Sequence, residues 1–132
     1  MAENEPSSAR PLSSVCEEAV AAYRDHGRSI QIPAIRKLLE SIISQKGEHV
    51  SVLRMFDGFK SGGVRGVDIS GSFPADVLES LVSHEKAFAA ALDGLAASLA
   101  DEEARQNVKA IADSSRKFAS WAQDHLDLLA MF

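Results

Sequence analysis

The feature that most constrains this chain is the stretch Pro33 to Phe56, PAIRKLLESIISQKGEHVSVLRMF. Ile35, Leu38, Leu39, Ile42, Ile43, Val50, Leu53 and Phe56 fall on one stripe with the period of an amphipathic helix, near 3.6 residues. Two polar residues, Lys46 and His49, lie on the same stripe. They are three residues apart and so stack on one helix face. What answers them decides whether the core holds a metal site or plain packing.

Three more helices flank this one. The first is expected over about Pro11 to His26, with Leu12, Val15, Cys16, Ala19, Ala22 and Tyr23 inward. Ser7 or Ser8 is a candidate cap for it, and Gly27 ends it. Pro33 suits the first turn of the second helix, where a missing N–H costs nothing. Gly47 lies inside that helix at a cost of about 1 kcal/mol against Ala, and a small residue there suggests the close approach of a neighbour. The third helix is expected over about Pro74 to Leu99, with Val77, Leu78, Leu81, Glu85, Phe88, Leu92, Leu95 and Leu99 inward. Asp101 is a good N-cap for the fourth, and Glu102 and Glu103 favour its positive N-terminal end. That helix is expected to reach about Phe132, with Val108, Ile111, Ala112, Ser115, Phe118, Ala122, His125, Leu126 and Leu129 inward.

The connections suggest a topology. Short turns join helices one to two and three to four, which predicts two antiparallel hairpins. Residues 57–73 form the one long irregular segment and hold five of the eight glycines. A loop of about 17 residues extends up to about 55–60 Å, more than the roughly 36 Å of the second helix. It is long enough to cross the bundle lengthwise. Within it, GVDISGSFP has the pattern of an extended strand lying on the bundle. The two hairpins also repeat: a shift of 69 residues places Leu12 on Leu81, Ala19 on Phe88, Leu39 on Val108 and Ile42 on Ile111. The fold class is therefore all-α, a four-helix bundle of two antiparallel hairpins joined by a long crossover loop. Residues 1–9 are expected as a flexible arm and residues 10–132 as one domain.

Charge and composition exclude several functions. The net charge is −5, with Lys and Arg scattered and no basic patch with interleaved aromatics, which argues against a nucleic-acid partner. A single cysteine excludes an intrachain disulfide and a Cys-only metal site. No run approaches the roughly 20 apolar residues of a membrane span, and the N-terminus lacks a signal-peptide core. The expected location is cytoplasmic. The glycine-rich loop has neither GxxxxGK[ST] nor GxGxxG. His26, His84 and His125 are expected at the surface or as caps.

The repeat, the crossover and three local phrases together resemble the rubrerythrin branch of the ferritin-like superfamily. VCEEAVAAY resembles that family's first helix, GEHVSVL its second and LESLVSHEKAF its third. The resemblance implies two metal ions, held by one Glu from the first and third helices and a Glu-x-x-His from the second and fourth. Carried over, the ligand positions fall on Cys16, Glu85, Lys46 with His49, and Ser115 with Phe118. Of six ligands, Glu85 and His49 remain. Lys46 adds a positive charge where cations should sit, and Phe118 fills a ligand position with hydrocarbon.

Several readings of the centre stay open. In the first, no metal or other cofactor is present, and Cys16, Lys46, His49, Glu85 and Ser115 form a polar cluster. Lys46 and Glu85 then make a buried ion pair with His49 hydrogen-bonded beside it, and Ser115 bonds a backbone carbonyl or the cluster. In the second, His49, Glu85 and Cys16 hold a single zinc ion, whose ligand chemistry accepts N, O and S donors. In the third, Glu17, Glu18 or Glu48 replaces the lost ligands of a di-iron site. The resulting expectation is a non-enzymatic bundle acting by protein association or small-ligand binding. The alternative is an iron or zinc oxidoreductase or peroxidase of rubrerythrin type. The apolar terminus LDLLAMF suggests a homodimer.

Overall fold

A computed structural model describes residues 10–59, 64–69, 71 and 73–131. The expected arm over 1–9, the Ser7 or Ser8 cap, Phe132 and part of the crossover lie outside the described residues. Four helices form: α1 (Leu12–Gly27), α2 (Pro33–Arg54), α3 (Pro74–Ser98) and α4 (Glu102–Leu129). Among the described residues there is no strand, and Val64–Ile69 is irregular, so the extended strand suggested by GVDISGSFP does not form there. The fold is an all-α, four-helix one. No helix among the described residues is long and apolar enough to cross a membrane.

The helix ends follow local chemistry. Asp101 caps α4 as expected, its carboxylate accepting from the Ala104 N–H at 2.9 Å. Pro33 and Pro74 occupy the first turns of α2 and α3. At the start of α3 the Asp76 carboxylate accepts from the Phe73 N–H at 3.2 Å. Gly71 supports that arrangement: its φ is +101°, and a Cβ there would run into the Asp76 carboxylate. α2 stops at Arg54, two residues short of Phe56. Its last turn tightens, with the Phe56 N–H donating to the Leu53 carbonyl at 2.9 Å, three residues back.

α1 packs chiefly on α2, and α3 on α4. Along the first pair, Glu17 meets Arg54 and Gly27 faces Leu39. Along the second, Asp93 pairs with Arg116. The core divides into two apolar clusters. One gathers Val15, Cys16, Leu53, Phe88, Leu92 and Val108. The other gathers Tyr23, Ile35, Leu39, Leu78, Leu81 and Phe118. On α2, α3 and α4 the boundary between the clusters is a polar residue: Lys46, Glu85 and Ser115, all buried. The polar centre is thus walled by hydrocarbon on both sides.

The described residues between α2 and α3 lie on the helices. Val64 packs on the first cluster, and Val67 and Ile69 on the second. Gly66 passes so close to α1 that a Cβ would stand 2.7 Å from the Glu18 carboxylate. Gly47, by contrast, is exposed, and a Cβ there would meet nothing. The close approach suggested for that glycine is absent.

Candidate functional site

Lys46 and Glu85 are brought together at the centre from α2 and α3. Both side chains are 0% exposed, and the Lys46 Nζ lies 3.1 Å from each oxygen of the carboxylate. An isolated buried charge of either sign would be costly, and each removes that cost from the other. The Tyr23 hydroxyl of α1 donates to Glu85 Oε2 at 2.7 Å. The ammonium also stands 4.3 Å from the centroid of the Phe88 ring, a cation–π contact. Lysine, glutamate, tyrosine and phenylalanine from three helices therefore answer one another.

Cys16 is at the edge of this group. Its thiol donates to the Lys46 backbone carbonyl at 3.5 Å. Burial pushes the thiol up to about 11, although the nearby Lys46 charge pulls the other way. At neutral pH it is a protonated, inert side chain. Burial and the Glu85 charge likewise push the Tyr23 phenol well above its ordinary value.

His49 and Ser115 depart from the expected hydrogen bonding. The His49 ring is half-buried and stacks on Phe118, centroids 6.3 Å apart. Its Nδ1 is buried with no partner among the described residues, and the Ser115 hydroxyl is likewise unpartnered. Burial, then the Lys46 charge, holds the His49 imidazole below its ordinary value. The ammonium is already satisfied by the carboxylate and the Phe88 face, so it does not draw the imidazole or the hydroxyl toward it.

His84 corrects a second expectation. It is 6% exposed rather than at the surface, and its ring stacks on Phe88 at 5.8 Å. Burial lowers it to about 4, and its Nε2 has no partner among the described residues. His26 and His125 are half-buried, with His125 Nδ1 3.0 Å from the Trp121 carbonyl. Sequence reasoning placed Tyr23 inward but missed its hydroxyl as a partner of Glu85. The signal was available, because a buried tyrosine O–H needs an acceptor.

His84 also lines a groove of about 760 Å³ between Val64–Asp68 and one face of α3. Arg65, Asp68, Glu79 and Ser83 stand along it, over a floor of alanines.

The centre fits a metal ion poorly. Glu85 has both oxygens engaged by N–H and O–H donors. Among the described residues no three His, Cys, Asp or Glu side chains come together as a ligand set. The chain matches no protein-family model, no curated protein and no solved structure.

Proposed function

We propose that this protein is a non-enzymatic helical bundle, related to the rubrerythrin branch of the ferritin-like superfamily, that works by binding rather than by metal chemistry. The observation that carries this reading is the Lys46–Glu85 pair. The ammonium occupies the carboxylate oxygens that would have to face a cation, and it adds positive charge at the same point. The topology in this reading is two antiparallel hairpins joined by a lengthwise crossover. Three contacts support it: Glu17 with Arg54, Gly27 with Leu39, and the passage of Val64 to Ile69 from one apolar cluster to the other.

The same reading includes a homodimer. Ile32, Phe73, Leu128 and Met131 are exposed, the last two in the terminal stretch singled out by its apolar character. Light scattering at high micromolar concentration should give twice the chain mass, and a monomer there removes the dimer from the proposal.

The central claim is tested by metal analysis of protein produced with iron supplied and purified without chelators. The expected iron is well below one per chain. Two irons per chain, with visible absorption from an oxo-bridged pair, would overturn the reading and restore an oxidoreductase or peroxidase of rubrerythrin type.

A further inference from the structure

The groove on the outside of α3 has its charges laid out in order. Val64 packs at the level of the first apolar cluster, as does Ala91 of α3. Val67 packs on the second cluster, as do Val77 and Leu78. The segment therefore runs against the direction of α3. Asp68 and Glu79 share one end of the groove, and Arg65 lies toward the other. Among the described residues none of the three has an ion-pair partner. Ser83 and His84 stand between the two ends, and Ala87 and Ala90 leave a shallow apolar floor. His84 adds an independent observation: it is 94% buried by its 6% exposure, it lines the groove, and its Nε2 has no hydrogen-bond partner among the described residues. A buried polar atom in that state is costly unless something meets it.

The lining selects among ligands by chemistry. One cation beside two acids does not suit a polyphosphate, and among the described lining residues there is no Phe, Tyr or Trp on which a nucleobase could stack. A ligand with an ammonium at one end, a carboxylate at the other and amides between them answers every group. Asp68 and Arg65 are three residues apart, so their backbones are at most roughly 10 Å apart, a span that a tripeptide can match. The volume lies within the roughly 300–1,000 Å³ typical of small-molecule sites.

We propose that this groove binds a short linear peptide with free termini, its ammonium toward Asp68 and Glu79, its carboxylate on Arg65 and an amide on His84. Nε2 is closed off in the free chain, so in this proposal the ring turns slightly outward to meet the amide; lowered by burial to about 4, His84 stays neutral at pH 7 and brings in no charge. The inference rests on the reading of the bundle as a binding module. The iron measurement tests that reading without peptide, so the two fail separately.

The experiment is a titration of the full chain with trialanine, followed by amide chemical shifts and calorimetry. The expected result is saturable binding, with shifts centred on residues 64–69 and 79–91. N-acetyl-trialanine and trialanine amide should each bind about tenfold more weakly, the scale of one lost charge-assisted contact. Arg65→Ala, at an exposed position, should abolish the preference for trialanine over its amide. Ser83→Leu, also exposed, should fill the groove and reduce binding while leaving the helical spectrum unchanged. The proposal is overturned by the absence of a saturable signal up to roughly 10 mM, weaker than any specific site of this kind needs to be. It is equally overturned if blocked and free peptides bind alike, or if Arg65→Ala leaves the preference intact.

Discussion

The bundle holds two sets of charged residues, one in its centre and one in its outer groove, and they are handled in opposite ways. At the centre, Lys46, Glu85 and Tyr23 satisfy one another between two walls of hydrocarbon. In the groove, Arg65, Asp68 and Glu79 are exposed, and the buried His84 nitrogen has no partner among the described residues. Completed polar groups in a buried interior fix register and resist change. Incomplete ones at a surface are available to something else. Most substitutions in the centre should therefore register as lost stability, and substitutions in the groove as lost binding.

The sharpest way to break this comparison is to strip one charge from the centre. Lys46→Met should destabilise the fold by roughly 3–5 kcal/mol, because it leaves the Glu85 charge buried without a counter-charge. Urea denaturation measures the loss. Lys46→Met with Glu85→Leu should recover much of it, though not all, because the Tyr23 hydroxyl then loses its acceptor. Adding Tyr23→Phe to the pair should recover the remainder. If Lys46→Met is harmless, the centre is not a structural pair.

A smaller effect separates the centre from the groove by pH. His84 titrates near 6.5 when unfolded and near 4 when folded. The unfolded chain therefore binds the extra proton first, and stability falls as pH drops from about 6.5 to about 4. The charges acting on the ring are Glu85 and Glu18, which favour protonation, and Lys46, which opposes it; burial outweighs them. Between pH 7 and 4, the wild type should lose on the order of 2–3 kcal/mol more than His84→Phe, which keeps a ring on Phe88. Equal losses in the two proteins would mean that His84 is hydrated or paired in solution.

Much of the fold was legible in the sequence because period, cap and punctuation agreed. The apolar stripes of all four helices, Asp101 before the fourth and the proline starts of the second and third each point to the same elements. Lys46 and Glu85 were legible as partners for an electrostatic reason: each sits on an apolar stripe, and neither can be buried alone. His84 was not legible. A single stripe on α3 that buries Glu85 turns its neighbour outward, but α3 is covered on more than one side, and Val82, His84 and Ala89 are buried with the main stripe. The wider cover comes in part from Val64–Asp68, whose placement has no periodic signal. The unpartnered His49 and Ser115 were out of reach for another reason. Residue type and spacing give proximity, whereas hydrogen bonding depends on tenths of an ångström and on angles.

Tyr23→Phe sharpens the picture of the centre further. It removes the 2.7 Å hydrogen bond to Glu85 while keeping Lys46 in place. The expected loss is about 1–2 kcal/mol by thermal or urea unfolding, less than for the lysine because the charge remains answered. A loss as large as that of Lys46→Met would make the phenol the principal partner.

The smallest effect tests the outer face of the same helix. Gly47 follows Lys46 directly, yet it is exposed and has open space where a Cβ would go. Gly47→Ala should stabilise the protein by about 0.5–1 kcal/mol through helix propensity alone. A destabilising result would mean that this face is covered in solution, as an interface between two copies would cover it.

Cys16 turns the centre into a natural clock. It is the chain's sole cysteine, and its sulfur is sealed between the helices. A thiol reagent can label it only during the moments when the bundle parts, so the labelling rate of the unaltered protein counts those moments directly. No probe has to be introduced. With Lys46→Met the clock should run on the order of a hundredfold faster or more, since every 1.4 kcal/mol of lost stability is a tenfold rise in the open population. A peptide held on the far side of α3 should slow it, reporting occupancy of the surface through an atom the ligand never touches.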